Sequence, residues 1–279
     1  MNFHVDHVSF SYASGVRALQ DVSLHIGSGE SVALIGENGA GKTTLAKHLN
    51  GLLRPGEGRV LVGDWDTRDC TIARLATRVA FVFQNPDEQL CERTVYAEVA
   101  FGPRNLGWTP KDVEAGVQQA LAQVGLLHAA DHHPYDLQPS QRRLVTLAAA
   151  LAMNTPLVVL DEPTTGQDAA GVERIGALVE GLKTRGRTLI GISHDLDFCA
   201  LHFDRLVVMS RGAILAEGPT EAILGKFDLL GRAGVEPPPL VRLADALGLL
   251  GAPRSVDGFV ELYHQERKPE ESDHAHRTR

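Results

Sequence analysis

The chain has few cysteines, no excess of basic charge and no long apolar run. Its three cysteines, Cys70, Cys91 and Cys199, stand far apart and form no C-x-x-C pair. That excludes a disulfide framework and zinc-finger spacing, and is the pattern of reduced cytosolic thiols. Lysine and arginine number 27 against 35 acidic residues, a formal charge of −8. There is thus no basic footprint for nucleic acid, which is not an expected partner. No apolar stretch approaches the roughly 18 residues that span a bilayer, so any membrane role has to run through a partner. Met1-Asn2-Phe3-His4-Val5-Asp6 shows no basic segment followed by an apolar one, and no signal peptide is expected. What remains is an ordinary globular composition, 43% apolar and 22% charged, over 279 residues without an internal repeat. That length suits one large domain with a small appendage.

Residues 1–30 alternate as an antiparallel sheet does, through Val5, Val8 and Phe10 and then Leu19, Val22, Leu24 and Ile26. Ser31-Val32-Ala33-Leu34-Ile35 reads as a buried strand running straight into glycines, with a helix from about Lys42 to Leu49. Further strands are expected at 59–62, 79–83, 157–160, 188–192 and 205–209, and a helix over about 169–185. Between about 88 and 152 the pattern turns helical. The expected fold class is therefore α/β: a mostly parallel sheet covered on both faces, an N-terminal antiparallel β subdomain and an inserted α-helical subdomain. This core covers 1–225. Residues 226–263 read as a helical appendix broken by Pro237-Pro238-Pro239, and 264–279, with His274 and His276, as a polar, disordered tail.

Gly36-Glu37-Asn38-Gly39-Ala40-Gly41-Lys42-Thr43, followed by Thr44, fits G-x-x-x-x-G-K-[ST] at every fixed position. Glycines let backbone N–H groups curl around a β-phosphate. Lys42 reaches the β- and γ-phosphates, the Thr43 hydroxyl suits Mg²⁺, and the helix beginning there turns its positive end to the anion. The ligand read from this loop is a nucleoside triphosphate with Mg²⁺. A second strand, Leu157-Val158-Val159-Leu160, ends in Asp161-Glu162. Alone this would be an acidic turn. With the phosphate loop upstream, Asp161 is the candidate Mg²⁺ carboxylate and Glu162 the candidate general base for an attacking water.

With these motifs in this order, the chain resembles the ATP-binding subunits of ABC transporters over about residues 3–225. The resemblance implies further roles. Tyr12 matches the aromatic residue that stacks on adenine, although a core aromatic on a strand remains the plain alternative. Gln84 matches the glutamine that touches Mg²⁺ and water and couples to the membrane subunit. His194, in Ile192-Ser193-His194-Asp195, matches the switch histidine that contacts the γ-phosphate, and Asp168 the aspartate at the dimer interface.

One element departs. Where the family has L-S-G-G-Q, this chain has Leu137-Gln138-Pro139-Ser140-Gln141. In the family that loop binds the γ-phosphate held by the opposite subunit. Pro139 has no N–H to donate, and Gln138 has no hydroxyl. Each lost charge-assisted hydrogen bond costs about 1.5–3 kcal/mol. The damage falls on the partner's site, so a heterodimer with a second ATPase is expected over a homodimer. Phe83–Leu90, Thr94-Val95, Glu98–Pro103 and the appendix further resemble the ATPases of energy-coupling factor importers for cobalt, nickel or vitamins. That resemblance implies integral membrane coupling and substrate-binding partners and a place at the cytoplasmic face of the membrane. A low-turnover regulatory subunit, a non-transport ABC ATPase and, more distantly, a small-molecule kinase are the alternatives.

Overall fold

The computed structural model describes residues 1–266. The chain opens with β1 (Phe3–Ser11) and β2 (Arg17–Ile26), an antiparallel hairpin whose period-two burial is interrupted between Val5 and Val8 and between Leu19 and Val22, where the register shifts and His7 and Asp21 have positive φ. Next come β3 (Ser31–Ile35), α1 (Lys42–Leu49), β4 (Glu57–Val62), β5 (Trp65–Asp66), α2 (Ile72–Leu75) and β6 (Val79–Val82). Three helices follow: α3 (Val95–Asn105), α4 (Pro110–Val124) and α5 (Pro139–Ala152). The second half of the core is β7 (Leu157–Asp161), α6 (Ala169–Thr184), β8 (Thr188–Ile192), α7 (Leu196–His202), β9 (Arg205–Ser210) and β10 (Ala213–Pro219). α8 (Thr220–Leu224) closes the core, and α9 (Phe227–Arg232), α10 (Pro239–Ala246) and α11 (Val256–Glu266) follow it.

Two sheets result. One is antiparallel, in the order β2-β1-β4-β5; the other runs β10-β9-β3-β8-β7-β6 and is parallel except at the β10 edge. β3, β7 and β8 are buried at every position, as strands covered on both faces must be. Their side chains divide with period two. Val32, Leu34, Leu157 and Val159 join the antiparallel sheet and α1 in one core, whereas Ala33, Ile35, Val158 and Leu160 join the inserted helices and the appendix in another.

The inserted helices carry their own stop and start signals. Thr109 caps α4, Pro110 occupies its first position, and Gly125 ends it in the left-handed region. α6 is capped by Asp168, whose Oδ1 accepts the Gly171 N–H at 2.8 Å. The buried Glu98 carboxylate accepts the N–H groups of Cys91 and Glu92, each at 2.8 Å, and so ties α3 to the loop after β6.

The appendix departs in detail from its sequence reading. Pro239 starts α10 instead of breaking the chain, the interruption falling at Pro237-Pro238. α11 carries helix through His264 to Glu266. The rest of the expected tail, with His274 and His276, lies outside the described residues. Among the described residues no helix is long and apolar enough to cross a membrane.

Candidate active site

Register brings the C-terminal ends of β3, β8 and β7 together, with Leu34 opposite Ile192 and Ile192 opposite Asp161. The loop after β3 and the acids after β7 therefore meet at one edge of the sheet, where α/β folds bind their ligands. The order β9-β3-β8-β7 leaves β3 flanked by strands that come much later in the chain.

Residues 36–41 wrap from β3 into α1. Gly36, Gly39 and Gly41 have φ of 147°, 83° and 103°, values that require glycine or strain another residue. Space is limiting too: a Cβ on Gly36 would lie 2.1 Å from the Met209 carbonyl oxygen, and one on Gly41 2.6 Å from that of Ala18. Lys42 curls over the loop, its Nζ donating to the Gly36 oxygen at 2.6 Å and the Glu37 oxygen at 3.0 Å. Burial pushes the Lys42 pKa down, while Glu162 and Asp161 pull it back up.

The Thr43 hydroxyl donates to both carboxylate oxygens of Asp161, at 3.1 and 2.9 Å. Asp161 is buried, and burial pushes its pKa up against the Thr43 hydrogen bond. A hydroxyl and a carboxylate converging beside a phosphate loop are hard oxygen donors, and they fit a Mg²⁺ ion that keeps several waters.

Glu162, also buried, has a left-handed backbone at φ 50°. Its N–H donates to the Ile192 carbonyl at 2.8 Å, its carbonyl accepts Arg143 Nη1 at 2.6 Å and the Thr165 N–H at 3.3 Å, and its Oε2 lies 2.8 Å from His194 Nδ1, with the Ser193 and Thr165 hydroxyls at 3.4 and 3.5 Å. The carboxylate is thus aimed by a histidine whose side chain is 66% exposed. Arg143 also donates through Nη2 to the Gln84 carbonyl at 2.5 Å. It is only 6% exposed, and burial lowers its pKa against the pull of Glu162 and Asp161.

A cleft of about 430 Å³ runs along this edge, lined by Tyr12, Asn38–Thr44, Gln84 and Glu162 among others. Tyr12 is 38% exposed at its rim, with its hydroxyl 2.9 Å from Thr44 Oγ1 and its ring edge-on to Phe10. The core alternative for this residue is therefore not what the fold builds. Every residue singled out for nucleotide or metal thus gathers at one edge of the sheet. Asp168 stands apart from it, at the start of α6.

The departing loop begins α5. Gln138 precedes the helix, Pro139 takes its first position, and the Gln138 N–H donates to Gln141 Oε1 at 3.1 Å. Gln167 Nε2 donates to the Ser140 carbonyl at 3.1 Å, and Arg142 pairs with Asp87 at 3.1 Å. Sequence reasoning missed two features of the site. One is Arg143. The other is the appendix: the Glu37 N–H donates to the Ala233 carbonyl at 2.9 Å, so the segment after α9 is bonded to the phosphate loop. Neither carries a local sequence signal beyond the buried position of Arg143 on an amphipathic helix.

The family model described as ABC transporter matches residues 19–165. The cobalt import ATP-binding protein CbiO of Rhodobacter capsulatus is 41% identical over 241 residues, covering 85% of each chain. The energy-coupling factor transporter ATP-binding protein EcfA of Methanocaldococcus jannaschii is 37% identical over 242 residues, 85% of this chain and 86% of its own. Among solved structures, cbiO1 from Clostridium perfringens, part of the ABC transporter complex cbiONQ, superposes with a TM-score of 0.73 at 30% identity, over 88% of this chain and 98% of that one. An ATP-binding cassette solved as a post-hydrolysis dimer with ADP and Pi gives 0.72 at 26% identity, over 78% and 98%. Similarity of that extent, from the antiparallel strands into the appendix, makes this chain a member of the ABC transporter family, an ATP-hydrolysing cassette of the CbiO and EcfA type.

Proposed function

We propose that this chain powers the uptake of a small nutrient, a vitamin or a metal ion, through a membrane importer, and that it works beside a second, different ATPase. The observation that carries the pairing is the contrast between the two surfaces the chain offers. On its own side, Thr43 at the end of the phosphate loop is bonded to Asp161, and His194 to Glu162. The loop it would present to a partner's nucleotide, Leu137–Gln141, has at its centre Pro139, which lacks the N–H that such a loop needs. The import reading is supported by the relatives named as cobalt import and energy-coupling factor proteins and by a structural neighbour described as part of a larger complex. It places the chain at the cytoplasmic face of the membrane, against integral coupling and substrate-binding proteins, with Gln84 and the 88–103 segment near the coupling protein.

In this reading Lys42 and the N–H groups of 36–44 hold the β- and γ-phosphates, and Tyr12 stacks on the adenine. Thr43, Asp161 and Gln84 would hold Mg²⁺, which neutralises charge on the β- and γ-oxygens. Glu162 orients the attacking water and takes its proton, and His194 fixes the carboxylate and meets the γ-phosphate. General-base catalysis of this kind contributes about 10²–10⁴ in rate. Pro139 also favours a second reading, a regulatory subunit with little turnover. Glu162→Gln separates the two: an unchanged ATPase rate of the assembly points to the passive subunit, and a loss of about a hundredfold or more to the engine.

The pairing is tested by mild affinity purification from membranes with mass spectrometry. A companion ATPase with an intact L-S-G-G-Q, together with small membrane proteins, is the expected result. A chain that by itself forms an ATP-dependent dimer and turns over at an ordinary transporter rate would refute the pairing. A chain with no membrane company would refute the importer.

A further inference from the structure

Arg143 has no part in the motifs that announce the site, yet it is bonded to the backbone of two of its residues, Gln84 and Glu162. It sits one turn into α5, the helix that starts at Pro139. Its guanidinium leaves the inserted helical subdomain and reaches the tips of two adjacent parallel strands, β6 and β7, paired through Val82 and Leu160. One arm donates to the Gln84 carbonyl and the other to the Glu162 carbonyl. A planar fork with fixed donors can serve two carbonyls at once, which an ammonium on a single stem does poorly.

The Glu162 carbonyl needs such a hold. A non-glycine residue at φ 50° is in a sparsely populated region, and the following Pro163 narrows its choices further. Strain of this kind persists only where the surroundings over-determine it. The N–H of Glu162 is fixed by β8 and its carboxylate by His194, so the carbonyl is the third point of attachment.

We infer that Arg143 is a positioning residue for ATP hydrolysis, which holds the backbone of Glu162 and Gln84 in the geometry that aims the Glu162 carboxylate at water. The inference rests on the reading of Glu162 as the base. Arg143 lines none of the cleft that takes the nucleotide, so its loss falls on turnover and leaves binding alone.

The test is Arg143→Met and Arg143→Lys in the membrane complex purified through this chain, with kcat, KM for ATP and nucleotide affinity measured separately, and Glu162→Gln alongside. Misplacing a reacting group by about 1 Å costs on the order of a hundredfold. Arg143→Met is expected to lower kcat by about that factor with ATP affinity within about twofold, and Arg143→Lys, able to restore one of the two bonds, to recover part of the loss. A normal kcat in Arg143→Met, or nucleotide affinity falling in step with kcat, overturns the inference. Should Arg143→Met fail to fold, Arg143→Lys carries the same test, and full activity there overturns it. If Glu162→Gln itself turns over ATP normally, the reading of the base falls. If Glu162→Gln is inactive and Arg143→Met is not, only the role given to Arg143 falls.

Discussion

Replacing Gly36 with alanine is expected to damage the chain far more than the same change three residues on. A Cβ on Gly36 would lie 2.1 Å from the Met209 carbonyl oxygen and 3.3 Å from the Ala40 Cβ. A relaxed carbon–oxygen contact is about 3.3–3.6 Å, so something has to move by more than about 1 Å. Met209 cannot yield cheaply, because it is fully buried in β9, beside β3 in the centre of the sheet. Overpacking of this kind costs about 1–3 kcal/mol, and holding alanine at φ 147° costs about 1–3 kcal/mol more. At about 2–4 °C per kcal/mol for a chain of this size, Gly36→Ala should melt roughly 4–24 °C below the wild type and lose the upward shift that MgATP gives. Gly39 is the control. Its φ is 83°, but an added Cβ meets nothing within 4 Å, so only the left-handed backbone is charged, about 1–2 kcal/mol. Thermal melts with and without MgATP decide the matter. A Gly36→Ala protein that melts within about 2 °C of the wild type and still responds to nucleotide would refute the steric reasoning.

Two further perturbations read other parts of the structure. Tyr12→Ala should weaken ATP binding by about 1–2 kcal/mol, roughly tenfold, and leave inorganic triphosphate binding unchanged; Tyr12→Phe removes only the bond to Thr44 and should bind nearly as the wild type, all by titration calorimetry. Asp204 joins β3 to α6, accepting Ser31 Oγ at 2.9 Å and Lys183 Nζ at 3.0 Å. Burial pushes its pKa up, but those bonds outweigh it and the net shift is downward. A carboxylate depressed in the fold stabilises above its unfolded pKa, near 4, and loses that contribution as pH falls through the lower folded value. Asp204→Asn should therefore cost about 1 kcal/mol at pH 7, with the gap to wild type narrowing below about pH 4 in urea titrations; a constant gap would count against the linkage.

Much of this was legible in the sequence because it is written in local periodicities. The apolar positions Val5, Val8, Leu19 and Val22 are buried positions of β1 and β2, although the three-residue step in each strand is taken up where the pairing register shifts and His7 and Asp21 have positive φ, and the glycines of 36–41 sit where φ or space demands them. The parts that escaped are held by contacts between segments with no common pattern. Arg143 reaches Gln84 across 59 residues, and Ala233 reaches Glu37 from the appendix. A backbone carbonyl as acceptor leaves no trace in the residue that supplies it. β10 escaped for another reason: as an edge strand no position of it is fully buried, so its alternation is faint.

The departing loop shows how structure and chemistry can separate at one helix start. Proline at the first position has the φ a helix wants and gives up an N–H that the helix does not use. Gln141 satisfies the Gln138 N–H, and Gln167 the Ser140 carbonyl. Arg142 closes on Asp87, and Arg143 on the strand tips. The start of α5 is therefore well bonded, and what it lacks against L-S-G-G-Q is the N–H at Pro139 and a hydroxyl at Gln138. A change that spares the fold and the chain's own site while weakening only what it lends to another is tolerable where the other site matters less. Two unequal sites served by two different chains meet that condition; two copies of one chain, each weakening the other, do not.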